Sequence, residues 1–556
     1  MEKERKSNLI IAGVTTVVIF VVACICFDFT YYLNDDCMLE SIISGRFSGS
    51  PSAMTFYMST VLAGFLTLFY RIIPGFSWLG AFFVLTILVC IFTLIYRAIS
   101  LAKSKQTMLL VAISGIFAFI FSHLVMPHYT IVAALSCMIG IFWLATSDKP
   151  EGMKDATIKL IPSAVFMLLG YLIRSNVFYM AMVFFGMAAL YILLKYGFVS
   201  IKSYAGIIGI FVMFFVIFIM ADKIAYMSEP YSEYKDYNQV RTNLYDYSYV
   251  GTEPEDMERY EEAGLSGLKV MIYKNYNLSL LMDESLSDME VLLKNSPAAA
   301  ARKGLRDVIY LYKEKLIKYK SESVSSDFPM NYLVIVLYLI IMICALLGKH
   351  IKDFIFVLAL AAIRSGLWMY LIYMGRYPER ITISLFLLEM ALLFGILLGF
   401  IKDKTLRFSN AGVMLVTIML LFAAYVGMQS LSVRYEEQIA VNGDDGVLYS
   451  YMEEKPGFYL LDTFSTVYRT TPVISANGHY ESYMLLGGWM SGHPLVDNKL
   501  GALGYEDVKT ALLSDDVFFV AKDAVGNTPE DVAAVIGCQY RIESVLDNRF
   551  YIYKFY

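Results

Sequence analysis

Long segments that are almost free of charge recur along the whole chain and limit its fold more than any other feature. Charged residues make up only 17% of the 556 residues, and a soluble protein of this size carries more charge. A transmembrane helix needs about 20 mainly apolar residues. The sequence therefore predicts a mainly α-helical polytopic membrane protein with eleven spans. These are residues 8–27, 77–98, 107–125, 129–146, 159–174, 177–195, 204–221, 332–348, 353–374, 381–401 and 410–430.

A twelfth apolar segment, residues 53–73, decides the orientation of everything that follows it. If it does not cross and the N-terminus is cytoplasmic, the inner loops carry most of the lysines close to the spans, which agrees with the positive-inside rule. If it crosses, most of those lysines lie outside. We therefore expect residues 53–73 to lie at the outer interface or to re-enter, with the N-terminus cytoplasmic.

The short outer segments of this topology contain arginine but no lysine. The arginines are Arg46, Arg71, Arg174, Arg376 and Arg380. A guanidinium binds phosphate through two parallel hydrogen bonds, which an ammonium group does not do. Two interpretations stay open: chance combined with snorkelling of long side chains, or binding of a lipid phosphate at the outer leaflet.

Polar segments divide the chain into a membrane domain, residues 1–434, and a C-terminal domain, residues 435–556. The membrane domain has a first outer loop, residues 28–76, with two predicted interfacial helices, and a large outer loop, residues 223–330. Both loops and the C-terminal domain are extracytoplasmic in the predicted topology. The C-terminal domain has an α/β pattern, with strands predicted at 458–462, 517–521, 540–546 and 549–555 and helices at 504–513 and 528–537.

The first outer loop holds the candidate catalytic residues, in the stretch YYLNDDCMLESIISGRFSGSPS, residues 31–52. Asp35 and Asp36 follow the first span by a few residues. A carboxylate there can act as a general base on an incoming hydroxyl or amine, or bind a cation. The same NDD sequence is also typical of a helix N-cap. Both interpretations can hold, since one acid can cap the helix while the other acts as a general base or binds a cation.

The stretch NDDCMLESIISGRFSGSP resembles polytopic glycosyltransferases of the C-type fold (GT-C), which include the protein O-mannosyltransferases and the lipid A aminoarabinose transferases. The pattern is similar to that of a group of uncharacterised bacterial members with NDD in the first outer loop. Two other stretches resemble that group, YNQVRTNLYDY (237–247) and LGGWMSGHP (486–494). Where the better-known families have HPP or KPP after the acid, this chain has GSPS.

The resemblance implies a membrane enzyme in the bacterial cell membrane, a hexosyl or pentosyl transferase. Such an enzyme moves a sugar from a polyprenyl-phosphate donor to a glycan or glycopolymer acceptor at the cell surface. Asp35 corresponds to the catalytic acid of the family and would be the general base. Asp36 would be a second carboxylate that orients the first or assists a metal. No nucleic-acid partner is expected.

The loop YMGRYPERI, residues 373–381, is the predicted phosphate clamp, with Arg376 and Arg380 on the phosphate and Tyr377 packed on lipid or sugar. The alternative is an ordinary surface loop. Arg174, at the outer end of the fifth span, is a further candidate contact to phosphate or sugar. Arg241 is another, because tyrosines interleave with charge around it and aromatic faces stack on sugars. These tyrosines, like Trp489, are equally typical of simple packing.

Two ionisable residues lie within predicted spans, Arg364 in the ninth and Glu389 in the tenth. Counted from the loop that joins these spans, both lie at similar depth. An unpaired charge inside a membrane is costly, so the sequence predicts a structural ion pair between them. A polar wall of the substrate cavity is the alternative.

The sequence predicts no cofactor with certainty. If a divalent cation such as Mg²⁺ or Mn²⁺ takes part, Asp35, Asp36 and His128 are its candidate ligands. Oxygen ligands from carboxylates suit both ions.

Two other functions compete with sugar transfer from a lipid donor. A polysaccharide polymerase or ligase would act on lipid-linked oligosaccharides at the same face, without needing the acid of the first loop. A transporter or flippase would show charges deep in several spans and repeat symmetry. The chain has one predicted ion pair and no internal repeat, which makes transport the weakest of the three.

Overall fold

Long apolar helices dominate the structure. The computed structural model describes residues 2–197, 201–297, 304–317, 327–402, 410–473, 480–523 and 525–556. Within these ranges nine helices are long and apolar enough to cross a membrane, which confirms the mainly α-helical polytopic class. The nine segments are Glu2–Cys26, Trp78–Leu101, Met153–Ile173, Ser175–Tyr196, Ile201–Ala225, Met330–Leu347, Ile351–Tyr373, Glu379–Phe400 and Val416–Glu454.

Two predicted spans form shorter apolar helices, Lys105–Phe119 and Tyr129–Ala145. The segment predicted as one span at 107–125 is divided, because the first of these helices ends at Phe119 and a separate helix, Phe121–Val125, follows after Ile120. Eleven helical segments therefore correspond to the eleven predicted spans among the described residues, and nine of them have full spanning length.

Only part of the segment 53–73 is helical, Thr60–Ile72. Its 13 residues extend about 20 Å at 1.5 Å per residue, which is less than the hydrocarbon thickness of about 30 Å. The helix begins at Thr60, which is bound by Asp222: Asp222 Oδ1 accepts hydrogen bonds from Thr60 N and Thr60 Oγ1, both 2.8 Å long. This length agrees with the prediction that the segment does not cross.

The helix Tyr129–Ala145 is the centre of the membrane domain. Nearly all of its residues are buried, as expected for a helix that is apolar on every side. Small residues allow close approach to the helix Met153–Ile173: a Cβ on Gly170 would lie 2.2 Å from Cys137 Sγ, and one on Gly140 would lie 2.8 Å from Met167 Cγ. This tight contact holds the middle of the central helix against Met153–Ile173, and the N-terminal end of the central helix carries part of the candidate site.

The first loop, the segment 223–330 and the C-terminal domain all meet at one end of the helical bundle, which we call the loop face. Tyr31 N donates to Thr471 O over 3.1 Å, and Tyr234 OH donates to Trp489 O over 2.6 Å. Asn277 Nδ2 donates to Asp462 Oδ1 over 2.6 Å. These contacts confirm the prediction that the three parts lie on the same side of the membrane domain.

The described part of segment 223–330 is helical. Its α-helices after the membrane helix Ile201–Ala225 are Tyr231–Asp246, Pro254–Glu262, Gly267–Lys274, Met282–Asn295 and Leu305–Ile317, with a 3-10 turn at Leu278–Leu281.

The C-terminal domain contains a five-stranded sheet, whose strands are β1 (Phe458–Leu461), β2 (Tyr483–Leu485), β3 (Val517–Lys522), β4 (Tyr540–Leu546) and β5 (Phe550–Phe555). The strand order is β2-β1-β3-β5-β4. The pairs β2–β1 and β1–β3 are parallel, and β3–β5 and β5–β4 are antiparallel. The four predicted strands are confirmed, and β2 was not predicted.

Local sequence signals in this domain are also confirmed. The helix Pro529–Ile536 has Thr528 as its N-cap and Gly537, at φ 79°, after its last residue. Asp547 and Asn548 both have positive φ and join β4 to β5 in a tight turn, which suits Asx residues. The helix predicted at 504–513 is shorter, Val508–Leu512.

One helix, Asn410–Glu454, runs from the membrane domain into the C-terminal domain. The predicted domain boundary between residues 434 and 435 lies inside it, so the chain does not break there. Leu448 and Met452, near its end, pack against Leu461, Val520 and Ile552 on one face of the sheet. The helix therefore holds the C-terminal domain at the loop face.

Candidate active site

The neighbouring acids Asp35 and Asp36 have different environments. Asp36 is fully buried. Its Oδ1 accepts a hydrogen bond of 2.9 Å from Tyr129 N, and its Oδ2 lies 2.7 Å from His128 Nδ1. Burial raises the pKa of Asp36, and His128 opposes that rise. Asp36 is thus a structural residue that joins the first loop to the central helix.

Asp36 also closes the start of its own helix, Asn34–Ser44, because its Oδ2 accepts a 3.4 Å hydrogen bond from Leu33 N. Successive residues of a helix point in directions about 100° apart. Since Asp36 points into the protein, Asp35 points elsewhere, into a cavity at the loop face. The two carboxylates do not share the cavity, so the contacts of Asp36 give no support to its expected role as a second carboxylate that orients Asp35 or assists a metal.

The cavity lies between the membrane domain and the C-terminal domain and has a volume of about 270 Å³. Among the described residues, no group donates a hydrogen bond to Asp35 and no cation pairs with it. Six arginines line the same cavity: Arg46, Arg174, Arg241, Arg376, Arg380 and Arg469. An unengaged carboxylate among guanidinium groups can take a proton from one group while the arginines hold an anion.

The first side of the cavity, the membrane wall, consists of Asp35, Tyr57, Tyr129, Arg174, Arg241, Arg376 and Arg380. Arg174 lies over two tyrosine rings, with its Cζ 4.4 Å from the centre of the Tyr57 ring and 5.1 Å from that of Tyr129. Cation–π contacts of this kind fix a guanidinium without neutralising it. Arg174 keeps its charge available to a ligand.

Arg241 is almost completely buried in the same wall. It donates to Asn238 Oδ1 over 2.6 Å, to Tyr57 OH over 3.2 Å and to Tyr276 OH. Burial lowers the pKa of Arg241, but the Tyr276 and Tyr57 phenols and the carboxylate of Asp246 raise it more, so the group is firmly cationic.

Two of the three residues named in the predicted clamp loop, Arg376 and Arg380, line the cavity. Arg376 Nη1 forms an ion pair of 2.6 Å with Asp246 Oδ2, so its charge is partly balanced. Arg380 lines the cavity without an ion pair to any described residue. Tyr377 does not line the cavity, and the centre of its ring lies 5.1 Å from Lys315 Nζ. Its expected contact with lipid or sugar stays a prediction.

The second side, the C-terminal wall, consists of Arg46, Tyr449, Arg469, Glu481 and Tyr483. Arg469 Cζ lies 3.5 Å from the centre of the Tyr449 ring, and the Tyr449 and Tyr483 rings meet edge to face at 5.1 Å. Burial raises the pKa of Tyr483, Glu481 and Tyr449 raise it further, and Arg469 and Arg46 oppose the rise. The charged groups of this wall therefore act on one another at close range.

The sequence singled out only Arg46 of this wall, as one of the outer arginines that could bind phosphate, and did not predict the wall itself. Arg46 belongs to the quoted stretch SGRFSGSP, but Arg469 lies outside every motif and gave no signal. The three stretches that carry the family resemblance do meet here: Asp35, Arg241 and Trp489 all line the cavity. The Trp489 ring lies 4.9 Å from Tyr57, in edge contact.

Several other predicted residues have structural contacts. His128 is buried against Asp36 and does not line the cavity. Across the described residues no three His, Cys, Asp or Glu side chains converge as a metal site, so the set Asp35, Asp36 and His128 does not fit a divalent cation. Arg364 Nε lies 2.9 Å from Glu389 Oε1, which confirms the predicted ion pair.

Glu40 fixes the position of the helix that carries Asp35. It is buried and accepts hydrogen bonds from Tyr70 OH and Ser77 Oγ, both 2.7 Å, and from Tyr31 OH. These three hydroxyls come from the first loop, the helix Thr60–Ile72 and the residue before the helix Trp78–Leu101. No pattern in the sequence singled out Glu40.

A separate apolar groove lies deeper in the membrane domain, with a volume of about 170 Å³. Its lining comes from six helices and is almost entirely aliphatic and aromatic, including Leu94, Phe119, Met138, Leu337, Leu397 and Leu420. A groove of this composition suits a hydrocarbon chain.

The chain matches no protein-family model and no curated protein. The basis for a functional assignment is therefore the chemistry of the cavity.

Proposed function

We propose that the protein is a membrane glycosyltransferase of the GT-C type. It moves a sugar from a polyprenyl-phosphate-linked donor to a cell-surface glycan or glycopolymer on the extracytoplasmic face. The observation that carries this proposal is the position of Asp35, a carboxylate without a partner among the described residues, in a cavity lined by six arginines. The apolar groove gives the prenyl chain of such a donor a suitable environment.

In the proposed reaction Asp35 takes the proton of an acceptor hydroxyl. The oxygen attacks the anomeric carbon of the donor sugar, and the bond between that carbon and the phosphate oxygen breaks. The lipid phosphate leaves with the electron pair of that bond, and the negative charge that develops on it is stabilised by Arg174 and Arg380. Fixed cations at the position where charge develops are an effective way to lower such a barrier. No metal is needed to balance this step.

The orientation belongs to the same proposal. The lysine-rich loops are cytoplasmic, and the loop face with its cavity is outside the cell. A donor that is anchored in the outer leaflet then presents its phosphate at the depth of Arg174 and Arg380.

The test is the substitution Asp35→Asn in cells that carry no other copy of the protein. An amide cannot accept the proton, so we expect transfer to fall by about 10²–10⁴-fold. The readout is the composition of surface glycans, with the amount of protein in the membrane measured in parallel. Asp28→Asn is the matched control, because Asp28 is an exposed acid of the same loop outside the cavity.

Unchanged glycans at unchanged protein level in Asp35→Asn cells would contradict the proposal.

A polymerase or ligase is the second candidate, since Arg241 and Asp246 of the segment 223–330 also line the cavity. Shorter chains with all side-branch sugars present would favour that activity.

A further inference from the structure

The charges around the cavity do not balance. Six guanidinium groups face three carboxylates, Asp35, Asp246 and Glu481, and no lysine or histidine contributes to the described lining. The described lining of the cavity therefore has an excess of three positive charges. Charges that are removed from bulk water need compensation by groups of opposite sign, so a ligand of this cavity has to bring negative charge.

The donor of the proposed reaction brings only part of the negative charge that the cavity needs. A sugar joined to a lipid through one phosphate is a phosphodiester with one negative charge. When it binds to the membrane wall, two positive charges remain uncompensated. A second anion therefore suits the cavity.

The C-terminal wall is the place where the second anion fits. Arg46 lies in the field of Glu481, which is the largest influence that raises its pKa against the effect of burial. Arg469 has no ion pair with any described residue. Its guanidinium carbon lies 3.5 Å from the centre of the Tyr449 ring, and the Tyr449 phenol engages one of its N–H groups. A guanidinium has five N–H donors, so the others are available for an anion.

The two walls carry different charged groups. Asp35, Arg174 and Arg380 belong to the membrane wall, and Arg46, Arg469 and Glu481 belong to the C-terminal wall. A donor phosphate at the membrane wall and a second anion at Arg469 therefore have different guanidinium groups to bind.

We propose that the C-terminal wall binds an anionic group of the acceptor, and that the acceptor is therefore a negatively charged glycopolymer with phosphodiester or carboxylate groups. The identification of the bound anion as the acceptor of the sugar rests on the proposed function. The binding itself does not depend on catalysis. Arg469 is the residue that holds the anion, with Arg46 beside it.

Binding of three oligomers of equal length tests the proposal on the full-length protein in nanodiscs. The probes are a glycerol phosphate oligomer, an oligogalacturonate and a neutral dextran. Calorimetry gives the affinity of each oligomer for the protein. We expect at least one anionic oligomer to bind at least tenfold more tightly than dextran, and to bind more weakly as salt concentration rises.

The deciding variant is Arg469→Gln, which should weaken binding of the anionic oligomer by about tenfold, the loss expected for one charge-assisted hydrogen bond. Arg541→Gln is the matched control, because Arg541 is an exposed arginine of the same domain that does not line the cavity. The relative affinity of the phosphodiester and carboxylate probes then identifies the anion. Equal binding of dextran and the charged oligomers, or full binding by Arg469→Gln, would overturn the proposal.

The two proposals fail separately. The Asp35→Asn protein should still bind the anionic oligomer, because Asp35 is on the other wall. If that variant keeps full activity in cells while Arg469→Gln loses binding, catalysis by Asp35 is wrong and the anion site stands. If Asp35→Asn abolishes transfer while Arg469→Gln binds normally, the transferase stands and the anionic acceptor is wrong.

Discussion

At the scale of single residues, the two adjacent acids of the first loop have different tasks. Asp36 is fully buried and accepts from Tyr129 N, while Asp35 lines the cavity. The sequence predicted that one acid could cap a helix while the other works. The sequence could not show which role belongs to Asp36, because its partner His128 lies at the start of a helix about ninety residues later in the chain.

A buried lysine gives a prediction about pH at this scale. Lys499 is fully buried, and its Nζ donates to Glu481 O over 2.6 Å. Burial lowers the pKa of Lys499 from 10.5 to about 8, although Glu481 raises it in part. The folded protein thus loses this proton near pH 8, and the unfolded chain keeps it until about pH 10.5. Between these values the unfolded state binds more protons, so the free energy of unfolding rises with pH.

The expected rise is about 3 kcal/mol across this window, from 1.36 kcal/mol per pKa unit. It should appear as an increase in the thermal unfolding midpoint of the purified protein between pH 8 and pH 10. Lys499→Met removes the titrating group and should lose this part of the pH dependence. An identical pH profile in both proteins would show that Lys499 does not titrate in this range.

At the scale of elements, the cavity depends on close contact between the segment 223–330 and the C-terminal domain. A Cβ on Gly487 would lie 1.5 Å from Tyr276 O, so the two backbones meet where only glycine fits. Ser279 N also donates to Leu486 O over 2.9 Å at this contact. Neither segment shows this contact in its own sequence pattern, since the two are about 200 residues apart.

Gly487→Ala should therefore separate the two elements. We expect a loss of more than about 2 kcal/mol in stability, because backbone has to move on one side. Thermal unfolding and the rate of proteolysis within residues 223–330 measure the effect. Gly501→Ala is the control: Gly501 lies in the helix Pro494–Ala502 with open space around its Cα, and alanine there should stabilise by about 0.5–1 kcal/mol. Equal behaviour of the two variants would contradict the close contact.

At the scale of the whole molecule, the proposed orientation predicts where the termini lie. Alkaline phosphatase fused after Tyr556 should be active, because it folds only outside the cytoplasm. A green fluorescent protein fused before Glu2 should fluoresce, because the N-terminus is cytoplasmic. The reverse pattern would place the cavity inside the cell and exclude a donor held in the outer leaflet.

The membrane domain was predictable at this scale because bilayer-spanning helices satisfy their backbone hydrogen bonds within one segment. Each span is therefore a local property of about 20 residues. The helix Thr60–Ile72 was recognised as different through the distribution of lysines elsewhere in the chain. The long helix Asn410–Glu454 was cut short in the prediction, because its polar second half gives no apolar signal.

The sequence by itself determined the membrane class, the positions of the spans, the strands β1, β3, β4 and β5, and Asp35 as a candidate residue. These depend on hydrophobic length, alternation and capping, which are set by neighbouring residues. Only the tertiary structure decided that Asp35 lines the cavity while Asp36 is buried outside it. It also decided that Tyr377 lies outside the cavity and that Arg469 lines it. Those outcomes depend on contacts between segments that lie far apart in the chain, and no local pattern encodes which distant surfaces meet.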